Sequence, residues 1–519
     1  MPTCPVNKID GSVTGLRIAR EACYKELPTN PIFRPFEPNS YSDFGGQPTY
    51  TARNPINASR QNQRGRITNK ESAAGFSQDL TMDVGFLLPG FMFAEARVKP
   101  CSRNWLLDET GNLVQSVTVA GGVATVTLTS PLAGVSAGDL LQLEGFTDVR
   151  NNGVFEVSTV TGAALELDAP NMVADAAPLD SALVRKVGRR FPAGGVSLEA
   201  NTGGLPVLRL GVDPTTLGLI AGEWLYVGGD ANNTFFAEEN NNGWMRVNRL
   251  LADGVEVDKT DGTITDNAGT GLTVEIFFGT VYRNEKDREL IKVISYYMER
   301  SLGRGKDDIS QGEYVYGCIA NEFQLQIPTA DKITCDFTYL AAMSDTYKDT
   351  EGGGYIEAMR PDITPQHAFN STSDINRLRI MVNDPTTSNP IPEVGFISEG
   401  NVTINNGANG LGAVGQMGFF DVSTANFEVG GSVTAYFTDV SAVALVNQGA
   451  DVTLDFSIVY ENHGFLFDIP SLNFSEGRLS VEMGSPITLP LTSSAYENKF
   501  GNTLTVMQFH YLPNNAEAY

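Results

Sequence analysis

The three histidines are the first residues to test for catalysis or metal binding. His367, His463 and His510 lie far apart in the sequence, and none has the close spacing of a metal-ligating pair. No GxSxG segment marks a serine nucleophile. The sequence therefore predicts no catalytic residue, no metal site and no enzymatic activity.

A glycine-rich segment has the spacing of a dinucleotide-binding loop. Gly410, Gly412 and Gly415 form a GxGxxG pattern, but that function requires the pattern to connect a strand to a helix. The residues that follow, 416–429, have the composition of a strand. We interpret the segment as a flexible loop and expect no cofactor.

The five cysteines indicate a reducing compartment. They are odd in number, scattered and without a CxxC pair, so they predict no disulfide framework. We expect Cys318 and Cys335 to be small core residues. The sequence has no apolar run of about 18 residues and no basic-then-apolar start, so we expect neither a membrane segment nor a secretory leader.

Composition favours a folded, acidic, turn-rich β protein. The chain has 519 residues, of which 41% are hydrophobic and 19% are charged, and its net charge is −25. The length predicts about three domains, and the apolar content is enough for a sizeable core. The acidic excess argues against a protein that wraps a nucleic acid. The low charged fraction indicates that much of the surface meets other protein.

The N-terminal region differs from the rest in charge and in proline content. Residues 44–70 contain no acid but do contain arginines and a lysine, and we predict that residues 1–58 form an extended basic arm. We expect this region to contact a neighbouring subunit, and the candidates for that contact are Arg60, Arg64, Arg66 and Lys70. The alternatives are a disordered tail, or an arm bound to DNA or a chaperone.

An internal repeat divides the next part of the chain. GDLLQLEG at 138–145 matches GEWLYVGG at 222–229, and NGVFEV at 152–157 matches NGWMRV at 242–247. We predict two inserted β modules, at 112–190 and 191–283, that project outward and are dispensable for assembly. They would separate a core made of residues 59–111 and 284–519.

Strands of the core alternate between an apolar face and a face with carboxylates. The pattern is clearest at residues 333–339, 426–437 and 452–458. The carboxylates predicted on the polar faces are Asp79, Asp83, Asp336, Glu428 and Asp455. These faces belong either to an ordinary solvated sandwich or to the wall of an acidic channel.

Three segments resemble the tail tube proteins of long-tailed bacteriophages. They are SRQNQRGRITNKESAAGFSQDLTMDVG with the short helix after it (59–97), YVYGCIANEFQLQIPTADKITCDFTYLAAM (314–343), and residues 400–446 with the strands that follow up to 512. The resemblance implies an all-β tail-tube-type sandwich or barrel with short helices, and the two modules resemble decoration domains inserted in other tubes.

The resemblance also implies a function without chemistry. The chain would form homohexameric rings stacked into a tube, whose acidic lumen conducts DNA during ejection without binding it specifically. The five carboxylates would line that lumen. Tape measure, tail terminator and distal tail proteins would be its other partners. It would be made in the host cytoplasm and reside in the virion tail.

Two other classes of function stay open from the sequence. A viral adhesin, fibre or decoration protein would bind a host surface ligand, with Trp224 and Trp244 as exposed aromatic residues. An enzyme acting on cell-surface polysaccharide is the third possibility, although no signature of its site is present.

Overall fold

The structure is a computed structural model, and it confirms the predicted all-β fold. It describes residues 9, 11–53, 56, 61, 63–102, 112–201, 204–304, 310–348, 354–384, 386–390, 397–437, 440, 443–444, 448–475, 478–481 and 483–517. Antiparallel pairs form the ladders within both of its large sheets. Among the described helical elements, α1 (Leu88–Met92) is one short turn.

The described residues contain thirty strands, of which seventeen precede residue 284. They are β1 (Gly15–Arg20), β2 (Arg34–Phe36), β3 (Ser40–Arg53), β4 (Gln63–Asp79), β5 (Val114–Ala120), β6 (Val123–Leu128), β7 (Asp139–Glu144), β8 (Gly153–Thr161), β9 (Ala164–Asp168), β10 (Leu183–Arg190), β11 (Ser197–Glu199), β12 (Val207–Arg209), β13 (Trp224–Val227), β14 (Gly243–Leu251), β15 (Gly254–Thr260), β16 (Glu275–Phe277) and β17 (Thr280–Arg283).

Thirteen more strands follow. They are β18 (Ser295–Arg304), β19 (Ser310–Ile327), β20 (Thr334–Ala341), β21 (Met343–Lys348), β22 (Ile375–Val382), β23 (Ile397–Asn405), β24 (Asn409–Gly412), β25 (Phe419–Ser423), β26 (Glu428–Tyr436), β27 (Val452–Tyr460), β28 (His463–Ser475), β29 (Thr488–Ala495) and β30 (Thr505–Phe509).

The chain divides into two compact units. Unit 1 consists of Met1–Ala94, Asp287–Phe369 and Glu399–Ser432, and unit 2 of Glu95–Lys286, Asn370–Ser398 and Val433–Tyr519. The division cuts the predicted core segment 284–519, because its strands contribute to both units.

Unit 1 is organised around β19, the longest strand. Along its first half β19 pairs with β18 and β21, and along its second half it pairs with β20 and β23. On the outer side of β20 lies β4, which in turn pairs with β3. Four strands, in the order β4, β20, β19 and β23, therefore form one continuous surface.

Aromatic side chains fill the inner face of these strands. Phe76, Phe323 and Phe337 come from β4, β19 and β20, and the ring centroids of Phe337 lie 5.0 Å from Phe76 and 5.4 Å from Phe323. Phe91 of α1 packs on them at 5.6 Å from Phe323. Because side chains alternate along a strand, this core leaves the polar residues on the opposite face.

The short helix α1 contains two residues with low helix propensity, and each has a structural role there. Pro89 occupies the first turn, where its missing N–H is not needed. Gly90 lies against the ring of Tyr296, since a Cβ there would approach Cε2 to 2.5 Å. The Tyr296 hydroxyl donates to the carbonyl of Phe86 at 3.1 Å, so a larger residue at 90 would displace this contact.

The N-terminal region is part of unit 1 and does not form the predicted extended arm. β1 pairs with β18 over six residues, and it pairs with β2 on its other side. Leu16 and Ile18 are buried. The apolar residues of GLRIAR alternate along β1, and this alternation allows one face of the strand to be buried. The high proline content of the region favoured the prediction of an arm instead.

Unit 2 contains a 12-stranded sheet built by the repeat. The order is β11-β12-β15-β14-β13-β16-β10-β7-β8-β9-β6-β5. One apolar cluster draws its buried residues from positions 114–184 and another from positions 191–278. The two repeats thus share a sheet, but each fills a core of its own.

Corresponding acidic side chains of the two repeats make the same contacts. Asp139 accepts the N–H of Ser136, and its counterpart Glu223 accepts the N–H of Ile220. Each of these carboxylates is buried and pairs with a buried lysine at 2.8 Å. The matched sequence blocks therefore encode matched turns.

The modules share a buried cluster with the C-terminal strands, which argues against the untested prediction that they are dispensable for assembly. Trp224 and Trp244 of module 2 belong to the same buried cluster as Met507 and Phe509 of β30. The ring centroids of Trp244 and Phe509 lie 5.1 Å apart. Removing the modules would expose that face of the C-terminal strands.

Candidate functional site

The outer face of the four-strand surface of unit 1 is uniformly polar, and we call it the polar face. Its members lie opposite one another in the ladders of β4, β20, β19 and β23. They are Ser77, Asp79, Glu322, Gln324, Gln326, Thr334, Asp336, Thr338, Asn401, Thr403 and Asn405. All of them are exposed or half-buried.

Three carboxylates form a diagonal row on the polar face. Asp79 lies opposite Thr334, while Asp336 lies two residues further along β20 and opposite Gln324. Glu322 follows two residues along β19. Diagonal neighbours in a sheet are about 7–8 Å apart, so the row presents negative charge across three strands.

Hydrogen bonds hold two of these carboxylates in place. Asp79 pairs with the ammonium of Lys332 at 2.7 Å and accepts from Asn39 Nδ2 at 2.7 Å. Asp336 accepts from Gln326 Nε2 at 2.6 Å. Lys332 therefore offsets the charge of Asp79, whereas Asp336 and the exposed Glu322 keep theirs.

Sequence reasoning missed Glu322, although the signal was present. The alternation of buried Phe323 and Leu325 with polar Gln324 and Gln326 extends one residue further back to Glu322. The alternating strands predicted from the sequence cover residues 333–339, 426–437 and 452–458, and none of them includes Glu322. The observed strand starts at Ser310.

The other predicted carboxylates lie elsewhere. Asp83 belongs to a 3-10 turn, accepts a hydrogen bond from Gln366, and has its pKa raised to about 6 by burial. Glu428 is exposed at the first residue of β26. For both residues, a position in a lumen stays a prediction.

Asp455 does not lie on a wet face, and its prediction as an exposed carboxylate is wrong. It is 0% exposed in β27, where all neighbouring side chains of the strand are buried on both faces. Its carboxylate pairs with the buried guanidinium of Arg377. Alternation of polar and apolar residues cannot distinguish solvent from a buried ion pair.

The strands β3 and β4 continue beyond the core as an exposed ribbon. Beyond residue 46 of β3 every residue is exposed, and on β4 the same holds for most positions up to residue 68. Length at about 3.3 Å per residue gives this distal part a reach of roughly 20 Å. We call it the distal hairpin, residues 47–53 with 63–69.

The distal hairpin combines positive charge with exposed apolar side chains. Arg53, Arg64 and Arg66 are exposed. Tyr50 and Ile67 face each other across the ladder and are 65% and 45% exposed. Exposed apolar side chains beside cationic ones are a composition found at protein contact surfaces.

The remaining predicted contact residues differ in their placement. Lys70 is half-buried, and its ammonium donates to the carbonyl of Ser344 in the same chain. Arg60 lies outside the described residues. The structure thus brings Arg64 and Arg66 together on one ribbon and directs Lys70 inward.

The three histidines lie on different elements. His367 lies in a loop, His463 begins β28 and His510 follows β30. No group of three or more His, Cys, Asp or Glu side chains in the described part of the chain could hold a metal ion. Cys318 and Cys335 are buried free thiols, as predicted, and burial raises the pKa of both well above its usual value.

These features define a class: an all-β protein with long antiparallel ladders and a polar sheet face. Residues 11–495 match the family model of phage tail tube proteins. The chain belongs to the phage tail tube protein family, and it is therefore a structural component of a virion tail. A search of curated proteins found no match. In the described residues, no helix has the length and apolar character needed to cross a membrane.

Proposed function

We propose that the chain forms homohexameric rings stacked into a tube, and that the polar face of unit 1 lines an acidic lumen through which DNA passes during ejection. The observation that carries this proposal is the diagonal row of Asp79, Asp336 and Glu322. The role requires no cofactor and no catalysis.

An acidic wall favours rapid passage of DNA. Duplex DNA carries one negative charge per about 1.7 Å of its axis, so a basic wall would bind it at each step. Carboxylates at Asp336 and Glu322 repel phosphates. The uncharged amides and hydroxyls between them offer weak hydrogen bonds, which water can also supply.

The distal hairpin is suited to join subunits. A two-stranded ribbon is marginally stable by itself, and here neither face of its outer part is covered by the described residues of the chain. Covering Tyr50 and Ile67 with an adjacent subunit would bury apolar surface. Each exposed arginine pair would add roughly 0–1 kcal/mol, so the total depends on the number of copies in a ring.

Further partners follow from the role of a tube. A tape measure protein would fill the lumen before DNA enters, and terminator and distal tail proteins would close the two ends. Assembly would take place in the host cytoplasm. The adhesin alternative loses its motive, because both candidate tryptophans are buried.

Charge reversal on the polar face tests the lumen. The variant Glu322→Lys/Asp336→Lys spares Asp79, which already has a lysine partner. A matched control, Asp168→Lys/Glu239→Lys, changes the same charge at exposed positions of unit 2. Both variants should form six-fold rings and tubes in electron micrographs.

DNA release from purified virions separates the two variants. We expect release to slow at least tenfold for the polar-face variant and to stay normal for the control. Normal release from virions that carry the polar-face variant would refute the acidic lumen. Rings with a symmetry other than six-fold would refute the proposed hexamer but would not bear on the proposed acidic lumen.

A further inference from the structure

Unit 2 contains a cavity that the tube function does not use. It has a volume of about 280 Å³ and opens beside the bulge between β14 and β15. Its lining includes Arg246, Asp258, Lys259, Asn498, Lys499 and Phe500. Both charged and aromatic groups therefore line one open cavity.

Lys259 is the unusual residue of this cavity. It is only 2% exposed, and its ammonium has no hydrogen bond or ion pair within 4.0 Å among the described residues. In the ladder it lies opposite Arg246. The carboxylates of Asp258 and Asp455 offset the burial of this ammonium and the repulsion by Arg246 and Lys499 only in part, so a further acceptor would stabilise it.

A second donor in the same cavity also lacks an acceptor. The Nδ2 of Asn498 is buried without a hydrogen-bond partner. Its Oδ1 accepts the N–H of Phe500 at 2.6 Å, which fixes the orientation of the amide. Lys259 and Asn498 thus place two donors in one cavity, and an anionic acceptor would satisfy both.

The carboxylates of the lining already have donors. Asp258 binds an arginine and a lysine of the lining. Asp384 accepts from the hydroxyl of Thr386 at 2.6 Å, and Asp451 accepts from the hydroxyl of Tyr496 at 2.5 Å. These acids are therefore satisfied within the chain, and they leave the two free donors to a ligand.

We propose that this cavity binds a carboxylate with a short apolar body, which accepts hydrogen bonds from Lys259 Nζ and Asn498 Nδ2 and packs its body against Phe500. A water molecule occupies about 30 Å³ in the liquid, so the cavity admits a ligand of several heavy atoms. The carboxylate is either a free small acid or an Asp or Glu side chain of an adjacent subunit.

The protonation state of Lys259 agrees with this assignment. Burial and the neighbouring Arg246 lower its pKa to about 8, so most molecules carry the ammonium at neutral pH. A carboxylate at hydrogen-bonding distance would raise that pKa again. Binding should therefore slow reactions that require the free amine.

Reductive methylation with formaldehyde and a borohydride, followed by mass spectrometry, measures this directly. The full chain is labelled in sodium butyrate and in sodium chloride of equal ionic strength. We expect butyrate at ten times its Kd to slow labelling of Lys259 about tenfold. Labelling of Lys286, an exposed lysine of the same unit, should not change.

The variant Asn498→Asp keeps Oδ1, replaces the donor with an acceptor oxygen and adds a negative charge that repels a carboxylate. It should abolish protection of Lys259 by butyrate. If Lys259 is instead protected in assembled tubes without butyrate while Lys286 is labelled, a neighbouring subunit supplies the carboxylate. Equal labelling of Lys259 with and without butyrate, in subunits and in tubes, would show that the cavity holds only water and would overturn the proposal.

Discussion

The substitution Arg246→Met examines the buried charges that join module 2 to the C-terminal strands. Arg246 of β14 is buried and binds two carboxylates, Asp258 at 2.9 Å and Asp468 of β28 at 3.0 Å. Methionine replaces the aliphatic stem of arginine, lacks the guanidinium group and has no charge. The variant therefore keeps the packing of the aliphatic stem, and it leaves the buried Asp468 without a cation and Asp258 with only Lys499.

The expected loss in the free energy of unfolding is large. Removing one partner of a buried ion pair typically costs about 3–5 kcal/mol. Burial opposes ionisation of Asp258, but Arg246 outweighs it and lowers the pKa of this acid below its usual range. Burial raises the pKa of Asp468 despite Arg246. Without the arginine both pKa values rise.

The sign of the pH dependence follows. Raised pKa values mean that the folded variant binds more protons than the unfolded chain above about pH 4, so its stability falls as the pH rises. The defect relative to wild type should therefore be larger at pH 7.5 than at pH 5. Urea unfolding of the full chain at both pH values measures it.

Two variants serve as references for this prediction. Arg249→Met removes a 64% exposed arginine from the same strand and should cost at most about 1 kcal/mol. Arg246→Met/Asp468→Asn should recover part of the loss, because one orphaned charge is gone. A loss below 1 kcal/mol for Arg246→Met, or a loss that is equal at both pH values, would refute the reasoning.

Three further predictions concern other parts of the chain. Arg64→Glu/Arg66→Glu should shorten tubes and make their length independent of salt concentration. The control Arg150→Glu in unit 2 should leave tube length and its salt dependence unchanged. Normal, salt-sensitive tubes from the double variant would exclude the distal hairpin from the contact. Deletion of residues 112–280 should give insoluble chain, because it strips the cluster shared with β30; a soluble product with a cooperative unfolding transition would contradict this. Burial raises the pKa of Glu21, which is 6% exposed, to about 7. The free energy of unfolding should therefore fall by about 3 kcal/mol between pH 4.5 and 7.5, and Glu21→Gln should reduce this pH dependence. An unchanged pH dependence in Glu21→Gln would show that Glu21 ionises normally.

The sequence predicts local patterns better than partners. Period-two alternation identifies the aromatic face behind Phe337 and the polar face with Asp336, because that pattern depends on neighbours along one strand. Alternation fails at Asp455, because a buried arginine from a distant strand satisfies the carboxylate. No spacing in the sequence announces such a pairing.

The boundaries of the structural units could not be predicted from the sequence for a related reason. The matching blocks around Asp139 and Glu223 reveal the repeat, since each repeat forms its own turn. The shared cluster of Trp244 and Phe509 joins residues far apart in the chain, and only tertiary packing shows it. Proline content likewise suggested an arm where β1 completes a sheet.

The uncovered distal hairpin has a consequence for how a tube would grow. A ribbon with little packing opens at a low free-energy cost, and its amides should exchange with solvent quickly in the free subunit. Docking would then include the ordering of this segment, which subtracts from the affinity of each single contact. Weak individual additions are reversible, so a wrongly seated subunit can leave before its neighbours lock it in. Growth by such steps would allow wrongly placed subunits to be replaced. The stability of the finished tube would then come from the number of contacts.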